Sequence, residues 1–162
     1  MRCYMNELIC CFTGHRRIER RHSLFIVPSI KKVLRKKYQQ GFRIFRAGGA
    51  LGFDTAAALS VLELRGELPD IKLHLILPCR DQDSRWNEYD KRVYRSILHA
   101  ADEIVYAEEY YVSGCMHKRN RMLVDGSQCC IAYYDGAESG KSGTEYTYKY
   151  ALQKNLELIN LW

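Results

Sequence analysis

The chain has 162 residues, 47% hydrophobic and 27% charged, enough to bury a sizeable core and too apolar for intrinsic disorder. No apolar run approaches the roughly 18–20 residues of a membrane span, and the run Leu8 to Phe12 behind the first residues is too short for a signal peptide, so none is expected and the expected compartment is the cytoplasm, with no membrane partner. The seven cysteines are odd in number, include the adjacent pairs Cys10-Cys11 and Cys129-Cys130, and contain no C-x-x-C, which points to buried reduced thiols and no metal site.

Leu8-Ile-Cys-Cys-Phe12 is a continuous apolar run of strand length, as expected for a strand covered on both faces. It ends in the glycine turn Thr13-Gly14-His15-Arg16. The net charge of +6 is concentrated just beyond. Arg16 to Arg46 holds eleven Lys or Arg against one acid, Glu19. Such a stretch attracts the phosphate of a nucleotide or of a nucleic acid, and it also describes a solvated helix face. Few aromatics are interleaved, so a stacking platform for single strands is not signalled. Pro28 fits a first helical turn. Ile30, Val33, Leu34 and Tyr38 then share a face, and Gly41 is a helix stop.

The second strand, Arg43 to Ala47, runs into Gly48-Gly49-Ala-Leu-Gly52-Phe-Asp54. The glycines allow positive φ or close approach to a ligand, Asp54 is a good N-cap, and the alanines behind it favour helix to about Gly66. A helix N-terminus behind a glycine loop suits phosphate, and a tight turn without a ligand is the plain alternative. The order is not G-x-G-x-x-G, and the acid about twenty residues on, Asp70, lies in a turn before the next strand. Tight NAD binding of the dehydrogenase kind is therefore not expected.

Ile71 to Leu77 is the third strand, closed by Pro78. The polar loop behind it carries Gln82 and Trp86, the latter suited to stacking on a base or to covering the next helix. That helix, about Glu88 to Ala100, is expected to bury Tyr89, Val93 and Ile97, with Leu98 beside them. After a short strand, Glu103 to Tyr106, a helix over Cys115 to Val124 carries Arg119 and Asn120. Arg119 can offer phosphate a bidentate cation. Gln128 to Tyr134 is the fifth strand, and Asp135 to Gly143 is a third glycine loop. Gly140-Lys-Ser-Gly143-Thr144 has the composition of a phosphate loop without the G-x-x-x-x-G-K-[ST] order. Thr144 is expected to cap a helix to about Lys154, before a last strand, Leu156 to Leu161.

The repeated β-α alternation predicts an α/β chain: one domain over residues 1–162, a Rossmann-like three-layer sandwich with a mostly parallel sheet and helices on both faces. In such sheets ligands sit beyond the carboxyl ends of the strands, and the three glycine loops all fall there. His15 and His117 lie near these loops, but no spacing supports a Cys-His nucleophile with Cys79 or Cys115. Among the carboxylates, Asp54, Asp135 and Glu145 can each face the cleft.

Five motifs, taken together and in order, carry a family resemblance. They are Cys11-Phe-Thr-Gly-His-Arg16, Gly48-Gly-Ala-Leu-Gly-Phe-Asp54, Pro78-Cys-Arg-Asp-Gln82 with Trp86, Gly114-Cys-Met-His-Lys-Arg-Asn-Arg121, and Ser142-Gly-Thr144 followed by Thr147 and Tyr150-Ala151. From about Leu8 to the end the chain resembles the YpsA-like proteins of the SLOG superfamily, which also holds the DNA-processing protein DprA and the LOG phosphoribohydrolases. The resemblance implies a Rossmann-like fold and a nucleotide or nucleotide-derived ligand, ADP-ribose-like compounds included, and lends no settled activity. Met116-His-Lys-Arg119 looks like the LOG helix motif that supplies a catalytic arginine. Of the LOG motif P-G-G-x-G-T-x-x-E, Gly140, Gly143 and Thr144 match, while Ser139, Lys141 and Thr147 replace the proline, the second glycine and the final glutamate. Glu145 stands two positions early.

Three functions follow as expectations. The first is a nucleotide-binding module, a sensor or adaptor, using Thr13, Gly14, His15, Arg16, Gly48, Gly49, Gly52, Asp54, Gln82, Trp86, Arg119, Asn120, Gly140, Gly143 and Thr144. The second is a LOG-like nucleotide N-glycosidic hydrolase in which Arg119 positions phosphate and an acid, Glu145, Asp54 or Asp135, assists. The third is DprA-like nucleic-acid binding through Arg16 to Arg46. A homodimer is also compatible with this type of chain.

Overall fold

The structure is a computed structural model and describes residues 7–162. The first six residues, on which the reading of the N-terminus partly rests, lie outside the described residues. Six strands form one sheet: β1 (Leu8–Gly14), β2 (Phe42–Ala47), β3 (Lys72–Leu77), β4 (Glu103–Tyr106), β5 (Cys129–Tyr133) and β6 (Glu157–Asn160). Their order is β4-β3-β2-β1-β5-β6, and every pairing is parallel. The connecting helices are α1 (Ile26–Gln39), α2 (Phe53–Glu63), α3 (Glu88–Ala100), α4 (Cys115–Val124) and α5 (Gly143–Gln153).

The strands are covered on both faces because their apolar runs are continuous. Alternate side chains of β1 serve different cores. Cys10 and Phe12 join the larger core, closed by Ile30 and Leu34 of α1, Ala57 and Val61 of α2, and Tyr94 and Ile97 of α3. Cys11 joins a smaller core with Leu123 and Val124 of α4 and Ala151 of α5. The layers are therefore α1, α2 and α3, then the sheet, then α4 and α5. In register, Cys10 lies opposite Cys129 and Cys11 opposite Cys130, so each adjacent pair splits between the faces. The six described cysteines are free and buried. No helix among the described residues is long and apolar enough to cross a membrane.

Three local expectations are corrected. The α2 cap is Gly52, at φ 76°, and Asp54 sits inside the first turn. The α5 cap is Ser142, whose hydroxyl accepts from Glu145 N at 3.3 Å; Thr144 lies too late in the turn to do so. Pro28 stands in the first turn of α1, as expected, and the helix follows a 3-10 turn at Arg20–His22. Tyr89 is exposed in the first turn of α3; the helix buries Tyr94 and, as expected, Ile97, with Val93 and Leu98 packed against the same core.

Strand β1 is the switch point. The chain runs outward from it through β2, β3 and β4, then returns to its other side as β5 and β6. The crossovers on the two sides diverge, leaving a crevice beyond the carboxyl ends of β1 and β5.

Candidate functional site

A cavity of about 400 Å³ occupies that crevice. Its walls come from the end of β1 (Thr13, Gly14, His15, Arg16), the β2-α2 connection (Ala50, Asp54), the first turns of α4 (Met116, His117, Arg119, Asn120) and the start of α5 (Lys141, Ser142, Gly143, Thr144).

The walls are fixed by close packing of loops. His15 N donates to Tyr133 O and Phe53 N donates to His15 O, each at 3.1 Å, so the β1 loop is held between β5 and α2. A Cβ on Gly14 would lie 2.4 Å from the Phe53 ring, and one on Gly52 would lie 2.2 Å from Arg16 O. Both glycines thus serve loop-to-loop packing. Phe53 is fully buried and stacks on Tyr133, with centroids 5.7 Å apart and planes 13° apart.

Arg119 is 6% exposed. Its Nη1 donates to Gly48 O, and its Nε donates to Asn120 Oδ1 at 2.8 Å. Asn120 Nδ2 reaches Gly143 O at 3.5 Å. This chain of contacts ties the β2-α2 loop, α4 and the α5 start around the cavity. Asp54, 5% exposed, accepts from Ala50 N at 3.3 Å. Burial pushes its carboxyl up to about 6, against the opposing pull of Arg119 and of the Ala50 N–H. Burial also lowers the Arg119 pKa, and Asp54 opposes that shift.

Two helices present their N-termini here. The first N–H groups of a helix have no acceptor within it, and Met116 and His117 of α4 and Gly143 and Thr144 of α5 stand at those positions. With Arg16 and Lys141 at the rim, the arrangement favours an anion.

The remaining sequence-predicted residues stand elsewhere. Gly48 touches the site through its carbonyl, and a Cβ on Gly49 would lie 2.5 Å from Leu77. Gln82 and Trp86 line a second cavity, of about 600 Å³, which shares Arg16 and Met116 with the first. Gly52 lines a third depression with Arg16. Gly140 and Glu145 belong to the loop framework: Glu145 Oε2 accepts from Ser139 N at 3.0 Å and Gly140 N at 2.9 Å, and Oε1 accepts from Lys149 Nζ at 2.8 Å. The Lys149 contact, then the Gly140 N–H, holds its carboxyl below the usual range. Asp135 does not line the cavity; its Oδ1 lies 3.1 Å from His15 Nε2, and the Ala137 N–H and His15 lower its pKa. Thr147 Oγ1 donates to Gly143 O at 2.8 Å. Cys79 and Cys115 are buried, and burial pushes the Cys79 thiol to about 12, which leaves it unsuited to nucleophilic attack at neutral pH. No group of three or more His, Cys, Asp or Glu is placed to hold a metal ion among the described residues.

Of the wall residues, sequence reasoning left Met116 unassigned and took Lys141 and Ser142 only as part of the Gly140–Thr144 loop. Their signal was positional: each stands at or just before a helix start that follows a carboxyl strand end.

The basic stretch divides in two. On α1, Lys31 pairs with Glu63 and Arg35 with Glu67, each at 2.5 Å, and the buried Lys37 pairs with Glu157. Arg43 lies over the Tyr38 ring at 3.8 Å, and Arg46 donates to Asp125 O at 2.7 Å. Arg16, Arg17 and Arg20, in the loop after β1, are exposed.

Comparison with known proteins agrees with this architecture. The profile of the YpsA family, described as the YspA SLOG family, matches residues 10–160. The uncharacterised SPbeta prophage-derived protein YoqJ of Bacillus subtilis strain 168 is 40% identical, over 66% of this chain and 68% of that protein. A UPF0398 protein of Bacillus pumilus is 32% identical, over 72% of this chain and 63% of its own length. Among solved structures, DNA processing protein A of Helicobacter pylori, studied for its single-stranded DNA binding mode, superposes with a TM-score of 0.67 at 22% identity, over 96% of this chain and 65% of that one. The chain thus spans about two thirds of the length of the proteins it matches, and at 22% identity the structural likeness is one of fold.

Proposed function

The chain belongs to the YpsA SLOG family, and on that premise we propose that the cavity beyond β1 and β5 binds the phosphate-bearing part of a nucleotide-type ligand. The observation that carries this reading is the convergence of the buried Arg119 with the N-terminal turns of α4 and α5 on one cavity. A desolvated guanidinium and two sets of free N–H groups form an anion site whose parts are already in place, which limits the ordering required on binding. Calorimetric titration with inorganic phosphate and with nucleoside monophosphates tests it. Arg119→Ala and the milder Arg119→Lys should each weaken binding about tenfold or more, with folding checked by circular dichroism. Unaltered affinity in both variants rejects the assignment.

A second reading rests on Asp54. The LOG-type glutamate position holds Thr147, but Asp54 is a buried carboxylate on the cavity wall, raised to about 6. A carboxyl tuned toward neutrality beside a phosphate-holding arginine suits acid/base assistance to N-glycosidic hydrolysis. Incubation of the protein with nucleoside monophosphates should release free base, and Asp54→Asn should abolish the release while retaining the nucleotide. No release by the unaltered protein leaves the binding module alone.

A further inference from the structure

The second cavity, of about 600 Å³, opens between the loop after β3 and the loop after β4. Resting on the reading of the first cavity as a phosphate site, we propose that this second cavity is the subsite for a planar aromatic ring of the same ligand, a nucleobase, with Trp86 and Tyr111 as its stacking surfaces.

Three observations support this. The cavities share Arg16 and Met116 as walls, so an anion in one and a ring in the other can belong to a single molecule passing a cationic side chain. The second cavity is also lined differently from the first, with Trp86 and Tyr111 beside Asp81, Gln82, Ser84 and Arg85. Large aromatic faces with a few polar groups are how proteins hold a base, the faces giving affinity and the polar groups orientation. Finally, the aromatics are held in place from behind. Trp86 meets Tyr94 edge to face at 5.2 Å, Tyr94 Oη accepts from Gln82 Nε2 at 2.8 Å, and Trp86 N donates to Asp83 O at 2.9 Å. Tyr111 is 64% exposed, yet its backbone N–H is fixed by Asp81 Oδ1 at 3.0 Å. An exposed ring on a tethered backbone is a surface awaiting a partner; the cavity it borders, with Trp86 on its wall, makes a flat heterocycle the fitting one.

The test uses two kinds of ligand with the same sugar and phosphate. Ribose 5-phosphate is titrated against the full chain beside AMP, GMP, CMP and UMP. At least one nucleotide should bind about tenfold or more tighter than ribose 5-phosphate. Trp86→Ala and Tyr111→Ala should each remove most of that gain and leave ribose 5-phosphate affinity unchanged. In a Trp162→Phe background, the preferred nucleotide should quench Trp86 fluorescence and ribose 5-phosphate should not. Equal affinity for ribose 5-phosphate and all four nucleotides overturns the aromatic subsite alone, as does a nucleotide preference that survives both substitutions. Absence of binding by every ligand, or ribose 5-phosphate binding that is indifferent to Arg119→Ala, overturns the phosphate site and this proposal with it.

Discussion

Asp54 and Arg119 meet across the backbone of Gly48: a Cβ built on that glycine would lie 2.9 Å from Asp54 Oδ2 and 2.6 Å from Arg119 Nη1. The absence of a side chain at 48 lets a buried carboxyl and a buried guanidinium approach the same point while Gly48 O accepts from the arginine. Gly48→Ala must displace one of the two groups. We expect a loss of roughly 1–3 kcal/mol in stability, typical of an overpacked site, together with a tenfold or greater loss of phosphate affinity. Thermal unfolding and titration on the same sample read both. Unchanged phosphate affinity in a folded Gly48→Ala would show that the position of Arg119 does not govern the cavity.

Asp54 makes stability fall with rising pH. Its carboxyl titrates near 3.8 unfolded and about 6 folded, because burial disfavours the charge. Between those values the folded state binds the extra proton, so the contribution is full below about 4 and is lost as pH rises through 6. Two pH units correspond to roughly 3 kcal/mol. Asp54→Asn resembles the protonated acid and should remove this slope, so the variant gains on the unaltered protein from pH 4 to 7.5. Parallel unfolding curves for the two proteins across that range would sink the prediction.

The alternation of elements was readable because each apolar run declares its strand within a few residues, and Gly41 punctuates locally. The layer arrangement then follows from the geometry of parallel strands. Position within a turn was less readable. Ser142 and Thr144 are both good caps by composition, and only the path of the loop decides that Ser142 reaches Glu145 N. The start of the α3 stripe was also less readable, since Tyr89 shares the spacing of Val93 and Ile97, which pack on the core, yet stands exposed in the first turn. Least readable were contacts between distant segments. Nothing local to Gly14 names Phe53 as the ring against it, and nothing near Asp54 names Arg119. Such pairs are set by which strand ends the sheet brings together, and Gly48 reads as ligand-facing until Arg119 is seen to occupy that space.

Glu145 is expected to order the loop and to leave bond cleavage untouched. Its carboxylate gathers the Ser139 and Gly140 N–H groups and Lys149. These partners favour its charged form, so the ordering fades as pH falls through its lowered pKa. Glu145→Ala should accelerate amide exchange at Ser139 and Gly140 about tenfold or more relative to the β1 and β5 amides. If base release is present, Glu145→Gln should retain most of it, since the carboxyl points to the loop. Unaltered exchange at both amides would falsify the assignment.

Nucleic-acid binding, if it occurs, should use the loop and spare the paired cations of the helix. Lys31 and Arg35 are already paired with Glu63 and Glu67, and phosphate would have to compete with those carboxylates. Arg16, Arg17 and Arg20 are exposed beside the crevice, where Arg16 also borders both cavities. Replacing Arg17 and Arg20 with Gln should weaken binding to an oligonucleotide and reduce the slope of log affinity against log salt by about one for each phosphate no longer neutralised. Replacing Lys31 and Arg35 should change neither. The two variants therefore separate a specific phosphate track from general attraction to a protein of charge +6: equal weakening in both would mean that net charge alone holds the strand, and no binding of the unaltered protein at low salt removes nucleic acid from its ligands.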